Sequence, residues 1–254
     1  MGSPQAGRRL LTAAPRSRAA WGAASLLALP LGAVQVCALL ASLDAHDVLP
    51  ALLGALAGAL AADAASGLVH WACDTWGDER TPIVGERLIR GFREHHRDPR
   101  AMLAHHWVEV NRESAVAAGA VLLLLWLPPV QHALAGQPAL HAFALTFIAY
   151  GAAANQLHYW AHLDAPPGAV RWLQRRGAIL SPARHARHHR APWTRAYCIS
   201  TGWLNPLLDA AGAWRALERA VTRITGASPR AVSRTAGPRR AGRMGGAARS
   251  PEGT

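Results

Sequence analysis

Four stretches of the chain are almost free of charge. Ala19 to Leu43 runs for 25 residues without a formal charge. Val48 to Trp71 is interrupted only by Asp63 and His70. Ser114 to Val130 closes on Pro128-Pro129, and Ala139 to Leu157 carries His141 near its start. About 20 apolar residues cross the hydrocarbon core of a bilayer. The first block exceeds the apolar core of a secretory signal peptide, so it reads as a spanning helix despite the Arg residues before it. Pro30 is expected to kink it, which bilayer helices tolerate. The pattern predicts an all-α membrane protein with four transmembrane helices, at about 19–43, 48–71, 114–130 and 139–158. Gly54-Ala-Leu-Ala-Gly58 in the second is a small-xxx-small pattern that lets another helix approach closely.

The segments between the blocks are of two kinds. Asp44 to Asp47 and Gln131 to Pro138 are short and hold no Arg. The other segments hold all 27 basic residues of the 254-residue chain, and every one is Arg. Four precede the first block, seven lie between the second and third, and sixteen follow the fourth. Four spans put all of them on one side, and the positive-inside rule makes that side the cytoplasm. Both termini are then cytoplasmic. The net charge of +12 thus follows bilayer topology rather than nucleic acid, since no aromatic residues interleave with the terminal Arg residues. Two stretches look interfacial. Pro82 to Phe92 mixes Ile83, Leu88, Ile89 and Phe92 with Arg and Glu. Leu204, Leu207, Leu208, Ala211, Trp214, Leu217, Val221 and Ile224 recur at three- and four-residue steps. They predict one amphipathic helix, lying on the inner leaflet or packed on the protein itself. Residues 1–18 read as a basic cytoplasmic segment, 19–226 as the membrane domain, and 227–254 as a disordered basic tail. Cys37, Cys73 and Cys198, an odd number without C-x-x-C spacing, exclude a disulfide framework and a Cys-type zinc site.

The chemistry lies in the histidines. Ten of the 13 fall at or beyond the cytoplasmic ends of the spans: His70, His95-His96, His105-His106, His158 and His162, and His185, His188 and His189. His46, His132 and His141 fall at the outer end and carry no assigned role. His158 and His162 are i and i+4, one face of a helix at the end of the fourth span, with Asn155 one turn earlier. His185, His188 and His189 share a face if helical. Asp63, Gly67, His70 and Asp74 form a stripe along the second span. A carboxylate at Asp63 is costly in lipid, so it should face the bundle, with His70 as its expected partner. Imidazole suits Zn, Cu, Fe and Ni. Eight or more clustered His exceed a single zinc site, and no H-E-x-x-H is present. The Glu-rich pattern of soluble di-iron bundles is also absent. A His-rich site at the cytoplasmic mouth of four helices suggests two iron ions handling O2.

Five segments carry a resemblance. They are Ala61-Ala-Asp-Ala-Ala-Ser-Gly-Leu-Val-His-Trp-Ala-Cys-Asp-Thr-Trp-Gly77, Pro82-Ile-Val-Gly85, Phe92-Arg-Glu-His-His-Arg-Asp-Pro99, Asn155-Gln-Leu-His-Tyr-Trp-Ala-His162 and Tyr197-Cys-Ile-Ser-Thr-Gly-Trp-Leu-Asn205. In that order they resemble the plasmanylethanolamine desaturase family of membrane lipid desaturases, from about Leu52 to Arg230. Two positions depart from the family pattern: Arg184 precedes His185, and Trp193 follows Pro192. The resemblance implies a His-ligated di-iron centre that forms the vinyl-ether double bond of plasmalogens from 1-O-alkyl ether phospholipids. By position, the implied ligands are His70, His95, His96, His158, His162, His185, His188 and His189, with His105 either a ninth ligand or a residue standing behind them. Asp63, Asp74, Glu109, Asn111 and Asn155 are implied to stand behind them.

No flavin, dinucleotide or haem-attachment motif occurs, so electrons must come from a separate donor, such as a ferredoxin or a cytochrome b5-like protein. Arg93, Arg97, Arg187 and Arg190 are candidates to pair with the lipid phosphate. Two other readings stay open. One is a desaturase acting near the carboxyl end of a phospholipid acyl chain. The other is a non-enzymatic membrane regulator of a light or oxidant response. The Arg-for-Lys bias points to a high-GC bacterial source, and so to an inner-membrane location.

Overall fold

The computed structural model describes residues 15–230, with side chains from residue 28 onward. Most of the expected N-terminal basic segment and most of the basic tail lie outside the described residues. Among the described residues the fold is helical, without strands. Four long helices coincide with the four apolar blocks: α1 (Pro15–Ser42), α2 (Val48–Thr75), α4 (Trp107–Leu124) and α6 (Pro138–Ala161). Shorter helices lie between and after them: α3 (Arg90–Arg97), α5 (Pro128–Leu134), α7 (Gly168–Arg175), α8 (Pro182–His185), α9 (Asn205–Ala210) and α10 (Ala213–Thr225). A π-helical turn, Gly85–Ile89, leads into α3.

Helices α2 and α6 form the axis of the bundle. A Cβ at Gly54 would run into the backbone carbonyl of Ala139, and one at Gly58 into that of Phe143. The Gly54/Gly58 pattern is therefore the place where two backbones touch, as close-packed small residues allow. Both residue numbers rise together, so α2 and α6 run parallel and end at the same face. That parallel run brings His70 and His158 together, with ring centroids 5.9 Å apart. Helix α4 runs the other way. Asn155 Nδ2 donates to Val110 O and Ser114 Oγ donates to Ala152 O.

Leu40, Leu49, Leu52 and Leu53 point outward, each more than half exposed, while Asp63 and His70 are fully buried. Apolar outside and polar inside is the arrangement of a helix facing hydrocarbon. By length and composition, α2 is long and apolar enough to cross a membrane. The third block does not continue to Val130 as a straight span. Helix α4 stops at Leu124 and turns 79° into α5, because Pro128 and Pro129 at the start of α5 cannot extend the preceding helix. Helix α6 is 24 residues long, but Asn155, Gln156 and His158 make its C-terminal half polar.

The expected single helix from Leu204 to Ile224 is two helices. Gly212 lies at φ 61° and breaks the run between α9 and α10, a left-handed conformation open mainly to glycine. Trp214 of α10 is buried against Trp71 and Tyr197, so this helix packs on the protein through that face. Leu207 and Ile224 remain exposed. Helix α7 braces α6, with Val170 and Ile179 against Leu157 and Gln174 Nε2 donating to Trp160 O.

Candidate metal centre

The site is assembled where α2 and α6 end together. Asp63 prepares it from two turns below His70. It does not pair with His70, as the stripe suggested. Its Oδ1 accepts from the backbone N–H groups of Thr201 (2.7 Å) and Gly202 (2.8 Å), and its Oδ2 from that of Leu204 (3.1 Å). Those bonds need no other cation, which explains how a carboxylate survives full burial. They pin the segment 196–205 against α2, aided by Ile199 N donating to Ser66 Oγ. The pinned segment then presents the Tyr197 carbonyl to His70 Nδ1 at 3.1 Å. His188 Nδ1 has the same kind of partner, the Arg195 carbonyl at 2.8 Å. A ring that donates from Nδ1 keeps a lone pair on Nε2, so both rings are tautomerically set to bind a cation through Nε2.

Two groups of donors result. His95, His158, His162, His185 and His189 form one, and His70, Asp74, His96 and His188 the other. In each, one donor atom from every residue lies within 4.8 Å of the rest. The His95-His96 pair splits between the groups, because neighbours on a helix point about 100° apart. His188-His189, in the turn after α8, also splits, so two dipeptides bridge the two groups. His96 and His189 ring centroids are 5.8 Å apart across the boundary.

The nitrogens fit a cation better than they fit one another. His158 Nε2 is 3.0 Å from His95 Nε2 and 2.8 Å from His185 Nε2, which is itself 3.4 Å from His95 Nε2. Each nitrogen is either a donor or an acceptor. Three of them in a triangle leave at least one pair of like kind. His70 Nε2 and Asp74 Oδ1 are also buried without a hydrogen-bond partner. Lone pairs directed at a common cation resolve both conflicts. Burial pushes the imidazoles of His95, His185 and His188 well below their ordinary range, and neighbouring His rings push them further. It takes His162 down to about 4 and His189 to about 3. Neutral rings are the form that binds metal.

All eight expected His residues therefore meet, and Asp74 joins the second group directly, with Oδ2 at 2.8 Å from His96 Nε2 and 3.6 Å from His188 Nε2. His105 belongs to neither group. It stands 3.5 Å from Glu109 Oε2 in the wall of a neighbouring cavity. Glu109 accepts from the His106 backbone N–H and closes the capping box of α4. Asn111 bonds Trp107 O and Gln156 Oε1, and Asn155 bonds Val110 O; both knit α4 to its own turn or to α6.

Arg184, one of the two departures, is a strut: its Nη1 donates to the carbonyls of Gly177 and Thr201. Trp193, the other, lies 6.1 Å from the His96 ring. Arg93 is spent on the carbonyls of Trp76 and Gly77, and Arg97 pairs with Glu79. Two of the four phosphate candidates are thus engaged within the protein itself. The open cavity beside His95 and His158, about 440 Å³, is lined by Arg87, Arg90 and Arg112. Sequence reading also missed the Tyr197 and Arg195 carbonyls, which carry no side-chain signal.

Residues 59–232 match the lipid desaturase domain. Plasmanylethanolamine desaturase of Myxococcus xanthus is 40% identical over 179 residues, covering 70% of this chain and 63% of that protein. Plasmanylethanolamine desaturase 1 of Mus musculus is 40% identical over 184 residues, 71% of this chain and 68% of that protein. The chloroplastic fatty acid desaturase 4 of Arabidopsis thaliana is 36% identical over 195 residues, 75% of this chain and 57% of that protein. No solved structure matches the chain. The domain match spans the whole of the His-rich centre, from Asp63 to α10, and on that ground the chain belongs to the lipid desaturase family.

Proposed function

We propose that this protein is a multi-pass membrane desaturase that forms the vinyl-ether double bond of plasmalogens from 1-O-alkyl ether phospholipids, with two iron ions, O2 and a separate electron donor. The observation that carries this reading is the pair of adjoining donor groups, five His in one and three His with Asp74 in the other. His95, His158, His162, His185 and His189 would hold one ion, and His70, Asp74, His96 and His188 the other. Iron held this way supplies the O2 activation that hydrogen removal from an unactivated carbon requires. The chain supplies the rest. Its carbonyls at Tyr197 and Arg195 orient two of the rings. Leu180, Ile199 and Ala161 form a buried apolar cluster with Phe92, whose ring lies 4.6 Å from that of His70.

The cavity reaching His95 and His158 offers a way in for an alkyl chain. No other redox group has a binding motif in the sequence, so a ferredoxin or cytochrome b5-like carrier would deliver electrons to the Arg-rich face. That face is expected to be cytoplasmic. The apolar surface of α1 and α2 would sit in the bilayer.

One alternative is desaturation near the carboxyl end of a phospholipid acyl chain, in keeping with a plant relative named as a fatty acid desaturase. A regulator without enzymatic activity has no use for nine convergent donors. Lipid mass spectrometry separates these readings. A plasmalogen-free host fed alkylglycerol would express the wild type or His158→Ala. The expected result is loss of two hydrogens from the ether lipid, an acid-labile product, and neither with the variant. A new double bond confined to acyl chains would overturn the ether-lipid assignment, and activity kept by His158→Ala would overturn the metal assignment.

A further inference from the structure

A line of aromatic rings leads away from the second donor group. Tyr197 lies 5.5 Å from His70 and 5.0 Å from His188, centroid to centroid. Trp214 lies 5.0 Å from Tyr197. Helix α10 holds Trp214 hard against α2: a Cβ at Gly67 would stand 3.1 Å from its Cη2. Trp214 in turn borders a cavity of about 220 Å³, lined otherwise by Thr194, Arg195, Asp209, Gly212 and Arg215.

Three separate features make that cavity attractive to carboxylates. Arg195 and Arg215 both line it, and of the two only Arg215 has an ion-pair partner among the described residues, Glu218. The cavity also lies at the start of α10, whose N-cap is Gly212. No side chain caps that first turn, so the positive end of the helix dipole is left uncovered. Trp214 is 4% exposed, and its Nε1 is buried without an acceptor. The one carboxylate in the lining is Asp209, whose Oδ1 accepts from the Ala196 N–H and whose Oδ2 is unpartnered. Arg187 and Arg190 are exposed on the same loop as Arg195. That loop is folded back on itself by His188 Nδ1 donating to Arg195 O and Trp193 N donating to Arg190 O. Apart from Trp214 the lining holds no large apolar side chain, whereas a surface seated in the bilayer interface carries apolar anchors.

We infer that this face docks an acidic one-electron carrier, a soluble protein whose carboxylates meet Arg195, Arg215 and the start of α10. The inference rests on the function proposed above. Opposite charges steer such a partner to the face and fix its orientation there. The carrier gives up one electron per encounter, and one ferric ion held by the second donor group takes it up and becomes ferrous. No bond forms or breaks, and no proton moves. Electron transfer through protein weakens steeply with distance, and Trp214 and Tyr197 fill the gap between the face and the rings of His70 and His188.

The test is binding of a plant-type ferredoxin of net negative charge to the full, iron-loaded chain, in detergent and in nanodiscs of neutral or anionic phospholipid. Vinyl-ether formation is measured in parallel. The wild type should bind this ferredoxin in all three settings, and much more weakly once the ferredoxin's carboxylates are amidated. Arg195→Gln with Arg215→Gln should weaken binding about fivefold or more, with iron content and thermal midpoint unchanged. Added salt should weaken the wild type more than this variant. Equal binding by wild type and variant would overturn the docking face and leave the proposed reaction standing. Binding lost in nanodiscs, or in the anionic ones alone, would also overturn it, because the bilayer or its headgroups would then cover these Arg residues. The expected binding pattern without any vinyl ether would uphold the face and count against the reaction.

Discussion

Asp63 offers a sharp separation between a residue that touches metal and one that holds the centre in place. It lies seven residues before His70 on the same helix, about 10 Å along the axis, and is fully buried. Its carboxylate satisfies three backbone N–H groups, those of Thr201, Gly202 and Leu204. Asp63→Asn keeps one oxygen for Thr201 and Gly202 but turns an amide NH2 toward the Leu204 N–H. A buried donor left unpaired costs about 1–3 kcal/mol. Asp63→Ala orphans all three donors and costs at least about 3 kcal/mol on the same scale. For a chain of this size each kcal/mol lowers the thermal midpoint by about 2–4 °C. The expected drop is then about 2–12 °C for Asn and larger for Ala.

The assay is thermal unfolding of the purified, iron-loaded protein, with iron counted per chain. Asp63→Asn should lower the midpoint and still carry two iron ions. Asp74→Asn should do the opposite, losing iron from the second group with a smaller change in the metal-free midpoint. Asp63→Asn with an unchanged midpoint and lost iron would refute this reasoning, because it would mean that Asp63 acts on the metal and not on the segment 196–205.

Three further outcomes are expected. His188→Ala should bind about one iron per chain and form no vinyl ether, checked by elemental analysis and lipid mass spectrometry; two irons per chain would contradict the two-group arrangement. Gly58→Val should disrupt the α2–α6 contact, since its Cβ meets the Phe143 backbone, and should lower the midpoint by more than the overpacking cost of about 1–3 kcal/mol would suggest for a yielding side chain. Acid should destabilise the metal-free protein. Burial lowers the folded pKa of His95, His185 and His188, while the unfolded chain titrates near about 6.5. Their contribution is therefore intact above that value and lost as pH falls below it, by up to about 1.4 kcal/mol per pH unit for each ring. A midpoint that stays level between pH 7 and pH 5 would contradict the burial of neutral rings.

Much of the architecture was legible in the chain. Three of the four apolar blocks lie in single long helices and the third is shared between α4 and α5, because the hydrophobic run that makes a segment favour lipid also needs its backbone bonds satisfied internally. The Gly54/Gly58 spacing announced a close contact, though not with which helix. The His residues were conspicuous because imidazole is scarce among apolar blocks, and all eight expected ones converge.

What could not be read is of another kind. The i, i+7 spacing joined Asp63 to His70 on one stripe, but Asp63 found its partners 138 and more residues away in a loop. His105 looked like a ligand by its company and stands instead in a cavity wall. The division of the donors into two groups, with His95 in one and His96 in the other, depends on how α3 is rotated against α2 and α6. Periodicity describes which side chains share a face of one element, and a linear chain carries that information. A centre is made by the distances between faces of different elements, and those arise only when the helices pack.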